Sequence, residues 1–158
     1  MTKIAFYPCC ADDFEESYAI LDELVDEIIY CDMNKSAQRK FNEKRTSFPK
    51  AQFILRDAVE AIKEIDCIDF FFYRKDSAGA GGSCVFFFGD RVFPFIVEKL
   101  NKNGAIIISD GSNARGANWK KMSRKNGAEL YGRQFKPADN QIYYNHRGNG
   151  PVLTIIVS

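Results

Sequence analysis

Apolar residues recur along this chain in two alternating rhythms. Short, nearly continuous runs at Ile4–Tyr7, Glu27–Cys31, Gln52–Leu55, Ile68–Tyr73 and Ala105–Ser109 predict strands, several of them covered on both faces. Between them the spacing turns helical. Asp12–Leu24 carries Phe14, Tyr18, Ile20, Leu21 and Leu24 on one side and acids on the other, with Asp12 and Asp13 placed as N-cap and first-turn acids. Residues 35–50 predict an ill-defined basic helix and a loop before Pro49, and Ala58–Ile65 a short helix. Another helix is expected around Phe88–Leu100, with Pro94 near its start and Asn103-Gly104 as the stop. After Asp110 the rhythm changes to a basic helix around Ala117–Lys125 and a strand segment over Glu129–Phe135. Gln141–His146 and Val152–Val157, joined by Arg147-Gly148-Asn149-Gly150, read as an antiparallel hairpin closing a sheet edge.

Strands alternating with helices at this spacing imply βαβ units. The expected fold class is α/β, a three-layer Rossmann-like sandwich with a mostly parallel sheet and a C-terminal antiparallel β-hairpin. With 158 residues, no internal repeat and no linker, residues 1–158 read as one domain. The 46% hydrophobic and 27% charged composition excludes disorder and fibrous classes. A net charge of +1 supplies no global field toward nucleic acid or membrane. The N-terminus turns acidic within a few residues and no run reaches the roughly 20 apolar residues of a membrane span, so a cytoplasmic protein without a membrane partner is expected. The five cysteines are odd in number and form no CxxC pair, which points to reduced thiols rather than a disulfide framework or zinc ribbon.

Chemistry in open α/β sheets gathers outside the carboxyl ends of the strands. There the chain places Tyr7-Pro8-Cys9-Cys10-Ala11, Asp32-Met33-Asn34, Arg56-Asp57-Ala58, Tyr73-Arg74-Lys75-Asp76-Ser77 and Ser109-Asp110-Gly111. Five βα units, a terminal hairpin, an acid closing strand two and Asp57-Ala58 after strand three resemble the class I S-adenosylmethionine-dependent methyltransferase family. That resemblance implies S-adenosylmethionine as cofactor, Asp32 on the ribose hydroxyls and Asp57 on the adenine amino group. A carboxylate suits a diol because it accepts from two hydroxyls at once. The same resemblance places Tyr7, Pro8, Cys9, Met33 and Ala58 around the cofactor. Tyr73 and Asp76 stand where the family orients or deprotonates its acceptor, or else in a solvated turn. Strand four opening as Ile68-Asp69-Phe70 also fits the pattern.

One departure stands out. The family's first loop is glycine-rich, whereas Tyr7–Phe14 holds no glycine, so Cys9 and Cys10 would crowd a cofactor unless the turn takes another route. A catalytically inactive Rossmann-like binding or scaffold domain is the alternative, and a phosphoacceptor receiver domain built on Asp12-Asp13 and Asp57 a third reading. Cys9, Cys10, Cys31 and Cys84 read as packing residues rather than metal ligands. The loop Gly79–Ser83 lacks the GK[ST] of a phosphate-binding loop, and the lone His146 excludes triad and multi-histidine metal chemistry. Charge is segregated: residues 1–34 hold nine acids against Lys3, residues 99–136 nine bases against Asp110 and Glu129. The basic stretch suggests an anionic acceptor or simply a solvated helix face, and the two charged regions could instead pair in a homo-oligomer.

Overall fold

A computed structural model describes residues 2–73, 93–109, 126–139 and 153–157. In chain order they form β1 (Ile4–Pro8), α1 (Glu15–Leu21), β2 (Glu27–Asp32), α2 (Lys35–Glu43), a 3-10 turn (Arg45–Ser47), β3 (Ala51–Leu55), α3 (Ala58–Glu64), β4 (Ile68–Tyr73), α4 (Phe93–Lys99), β5 (Leu100–Ser109), β6 (Ala128–Leu130), β7 (Arg133–Pro137) and β8 (Leu153–Val157). The strands lie in the order β3-β2-β1-β4-β5-β8-β7-β6. The first five are parallel, and β8 runs antiparallel to both of its neighbours. This is the expected α/β class, and the order excludes the receiver reading, whose sheet runs 2-1-3-4-5.

Alternation along each strand divides the apolar residues between two layers. Phe6, Ile29, Cys31, Phe71 and Ile106 face α3 and α4 through Ala61, Ile62, Ile96 and Val97. Ala5, Tyr7, Ile28, Tyr30, Phe72 and Ile107 face the opposite way, toward Leu21 of α1 and Phe41 of α2. That second layer is aromatic: the Phe14 ring lies 5.1 Å from Tyr30 and 5.3 Å from Phe41, both edge-on.

Several expectations need correction. The N-cap of α1 is Phe14, which makes no side-chain cap bond. Asp13 is instead buried, accepting the Tyr7 hydroxyl at 2.8 Å, and Asp12 pairs with Lys40. Residues 35–43 form a regular helix, capped by the Asn34 side chain on the Ser36 amide at 2.8 Å and seated by Ala37 and Phe41. Strand β5 begins at Leu100, not Ala105, through a bulge in which β4 advances from Ile68 to Phe70 while β5 advances from Leu100 to Ala105. Asp69 fastens this bulge, accepting the Ile4 amide at 2.8 Å and the Asn101 side-chain amide at 3.0 Å, so it supports the amino end of the sheet. Glu129–Phe135 is a hairpin rather than one strand: Tyr131 (φ 53°) and Gly132 (φ 76°) take the two left-handed positions of its turn. Strand β8 does not close the sheet edge; it is inserted between β5 and β7. The strand expected at Gln141–His146 and the helix at Ala117–Lys125 lie outside the described residues.

The acid-rich N-terminal region finds its counter-charges nearby. Lys40, Lys44 and Lys50 reach Asp12, Glu15 and Asp22 at 3.2, 2.5 and 3.0 Å, all partly exposed. Two of the nine C-terminal bases are also committed. The Lys99 ammonium donates to the Lys63 carbonyl at 3.0 Å, and the Arg133 guanidinium donates to the carbonyls of Val97 in α4 (3.1 Å) and of Leu100 and Asn101 at the start of β5, tying the junction of the two elements. No described helix is long and apolar enough to cross a membrane.

Gly127 and Gly132 both have positive φ, but only Gly127 is hemmed in: an added Cβ would lie 1.8 Å from the Phe135 carbonyl oxygen, whereas Gly132 faces open space. Urea unfolding is expected to show Gly127→Ala losing at least about 2 kcal/mol. Gly132→Ala should lose less, about 1–2 kcal/mol, because backbone strain is its only cost. Equal losses would show that the hairpin does not hold Gly127 against Phe135.

Candidate functional site

The strand order changes direction between β1 and β4, which puts a crevice at the carboxyl ends of the parallel strands. Pairing sets the heights of the tips. Pro8 lies opposite Cys31, and Asp32 opposite Leu55, so the first loop, Asp32-Met33 and Asp57 emerge along one rim.

Backbone bonds draw this rim together. The Cys10 amide donates to the Cys31 carbonyl at 3.2 Å and the Arg56 amide to the Asp32 carbonyl at 3.1 Å. Asp32 is half-buried, and each of its carboxylate oxygens takes a backbone amide: Oδ2 that of Ala11 and Oδ1 that of Asn34, both at 2.8 Å. Asp57, also half-buried, caps α3 by accepting the Val59 and Glu60 amides on Oδ1 at 2.9 and 3.2 Å. Met33 stands between them in sequence with 68% of its surface exposed, and Ala58 is buried beneath the rim.

The glycine-free loop takes a left-handed route. Cys9 (φ 54°) and Ala11 (φ 50°) both adopt the left-handed conformation that glycine would take at no cost. For residues bearing a Cβ the cost is about 1–2 kcal/mol each. A hydrogen bond to an ionised group contributes about 1.5–3 kcal/mol, enough to offset one of them. Nothing in the sequence marked this conformation, because its usual signal is the glycine itself.

Of the remaining candidates, Tyr7 and Pro8 are buried in β1, Tyr7 toward the aromatic layer and bonded to Asp13. Tyr73 ends β4 at the far side of the crevice. Asp76, Cys84, the Gly79–Ser83 loop, Trp119 and His146 lie outside the described residues. Asn34, named at the strand tips but given no role there, links Asp32 to the start of α2; its position after an acid-ended strand and before a helix was the available clue.

The cysteines divide between the layers. Cys9 packs with the α3/α4 side and Cys10 with the aromatic side. Burial pushes the Cys31 thiol up to about 12 and the Cys10 thiol well above its ordinary value, with the Asp32 charge adding to both. Among the described residues no three His, Cys, Asp or Glu side chains could hold a metal ion. The folded-state thiol values exceed the unfolded one, so their stabilising effect is complete below the ordinary thiol range and falls away as pH rises toward the folded values. Iodoacetamide at pH 8 should therefore leave Cys10 and Cys31 unmodified in the folded protein and label them in urea, read by peptide mass mapping. Labelling of either in the folded state would contradict their burial.

No protein-family profile and no curated protein matches the chain. Solved structures do. A Streptococcus mutans protein described as a methyltransferase and solved in complex with SAH superposes with TM-score 0.58 at 18% identity, covering 98% of this chain and 88% of its own. An rRNA methylase from Streptococcus thermophilus gives 0.58 at 14% identity, covering 99% and 87%. A precorrin-6y C5,15-methyltransferase from Geobacter metallireducens gives 0.57 at 11% identity, covering 99% and 79%. At such identities the likeness is one of architecture, and this chain has the class I methyltransferase-like fold.

Proposed function

We propose that the chain binds S-adenosylmethionine along the rim formed by the first loop, Asp32-Met33 and Asp57-Ala58, and acts as a methyltransferase-like protein. The observation that carries this reading is the joining of Cys9–Ala11 to Asp32 at the carboxyl end of β2, next to the point where strand order reverses.

The donor set fits the cofactor. A carboxylate offers about four lone-pair directions. The Ala11 and Asn34 amides occupy one on each Asp32 oxygen, which leaves one per oxygen for a pair of ribose hydroxyls. Asp57 takes both helix-cap bonds on Oδ1, so Oδ2 is the oxygen suited to an adenine amino group. Met33 exposes an apolar, polarizable side chain beside these acids, the kind of surface a flat base covers. Tyr7 and Pro8 support the loop from within the sheet, and Cys9 lines its inner turn.

The cofactor supplies an activated methyl group, and transfer asks the protein chiefly for alignment. In this reading Tyr73, at the tip of β4, and Asp76 just beyond it orient the acceptor or take its proton. The acceptor class is anionic in this reading, drawn by the basic stretch of residues 99–136. A reduced-thiol, cytoplasmic setting suits the free Cys9, Cys10 and Cys31 in and beneath the rim.

Calorimetric titration with S-adenosylhomocysteine is expected to give saturable heat with the native chain. Asp32→Ala should weaken binding at least about tenfold, equal to about 1.4 kcal/mol, and Met33→Ala several-fold. No heat with a folded native protein overturns the reading.

A further inference from the structure

We infer that Asp32 is a positioning residue for the first loop: its carboxylate does the work of the missing glycines and holds Cys9–Ala11 in the left-handed turn on which the nucleoside site is built. The link to the nucleoside rests on the S-adenosylmethionine reading; the hold on the loop does not.

Two successive loop amides are pinned to two successive residues of β2. Cys10 donates to the Cys31 carbonyl at 3.2 Å, and Ala11 donates to the Asp32 carboxylate at 2.8 Å. The pinned residue is itself left-handed (φ 50°), and Cys9, just before the pair, is left-handed too (φ 54°). Ala11 is exposed, so burial does not stabilise its conformation. Further along, the loop is anchored by the Asp13 carboxylate, which accepts the Tyr7 hydroxyl of β1 at 2.8 Å, and by the Phe14 ring among Tyr30 and Phe41. Cys9–Ala11 is thus a strained arch between two fixed ends.

The clamp on that arch is rigid at its base. Asp32 Oδ1 accepts the Asn34 amide at 2.8 Å, which orients the carboxylate, and the Asn34 side chain in turn accepts the Ser36 amide at the start of α2. One side chain therefore connects the end of β2, the start of α2 and the crown of the first loop. Because each oxygen keeps a lone pair, loop and ligand use Asp32 together rather than in competition. A nucleoside arriving there meets a loop already shaped, without an ordering cost at binding.

Four proteins test this: native, Asp32→Ala, Ala11→Gly and the double variant, all without ligand. In Asp32→Ala, hydrogen exchange at the residue-11 amide should accelerate at least about tenfold, with β1 and β2 interior amides unchanged. The thermal midpoint lost on Asp32→Ala should be at least halved in the Ala11→Gly background, because glycine adopts the left-handed turn unaided. Unchanged exchange at residue 11, or equal midpoint losses in both backgrounds, overturns the inference. Should Asp32→Ala fail to fold, Asp32→Asn enters the same comparison with the same ordering expected. A separate S-adenosylhomocysteine titration keeps the questions apart: a silent titration with the exchange pattern intact refutes the cofactor and leaves the clamp standing.

Discussion

Helices lie on both sides of the parallel strands, so each residue of β1, β2 and β4 must satisfy one of two apolar layers. In β1, Ala5 and Tyr7 belong to the aromatic side and Phe6 to the α3/α4 side. A slip of one residue would turn Tyr7 and its bond to Asp13 into the wrong layer, and the same holds for Ile29 and Tyr30 in β2. Register is therefore fixed by burial on both faces. The heights of the strand tips follow from it, and so does the meeting of the first loop with Asp32.

Polar groups at the rim are placed by this apolar frame and then tied to each other. Asp32 and Asp57 both spend acceptor capacity on backbone amides, one clamping a loop and the other capping α3. Such bonds immobilise a carboxylate before any ligand arrives, which is how a site on loops acquires the precision of the sheet beneath it. The ion pairs of α1 with α2 and Lys50 are of a different kind. They are exposed and worth about 0–1 kcal/mol each.

Much of the architecture was readable from local patterns. The runs Ile68–Tyr73 and Glu27–Asp32 are strands because apolar residues fill both faces, and Ala58 starts a helix because Asp57 caps it. Where the reading failed, a distant partner had prevailed. Asp12 and Asp13 look like an N-cap pair, but Tyr7 and Lys40 hold them elsewhere. Leu100–Gly104 looks like the end of a helix, yet Asp69 draws it into a bulged strand. The hairpin at Tyr131-Gly132 was hidden because its first turn position is a tyrosine.

The same division runs through the site. Residue identity along the chain was enough to nominate Asp32 and Asp57, since an acid closing an apolar run is a local feature that short-range spacing records. It could not reveal that Asp32 grips Ala11, that β8 inserts between β5 and β7, or that Cys9 and Ala11 turn left-handed without glycine. Those outcomes depend on contacts between residues far apart in sequence, whose energies are summed only when the sheet closes and its layers compete for the same side chains.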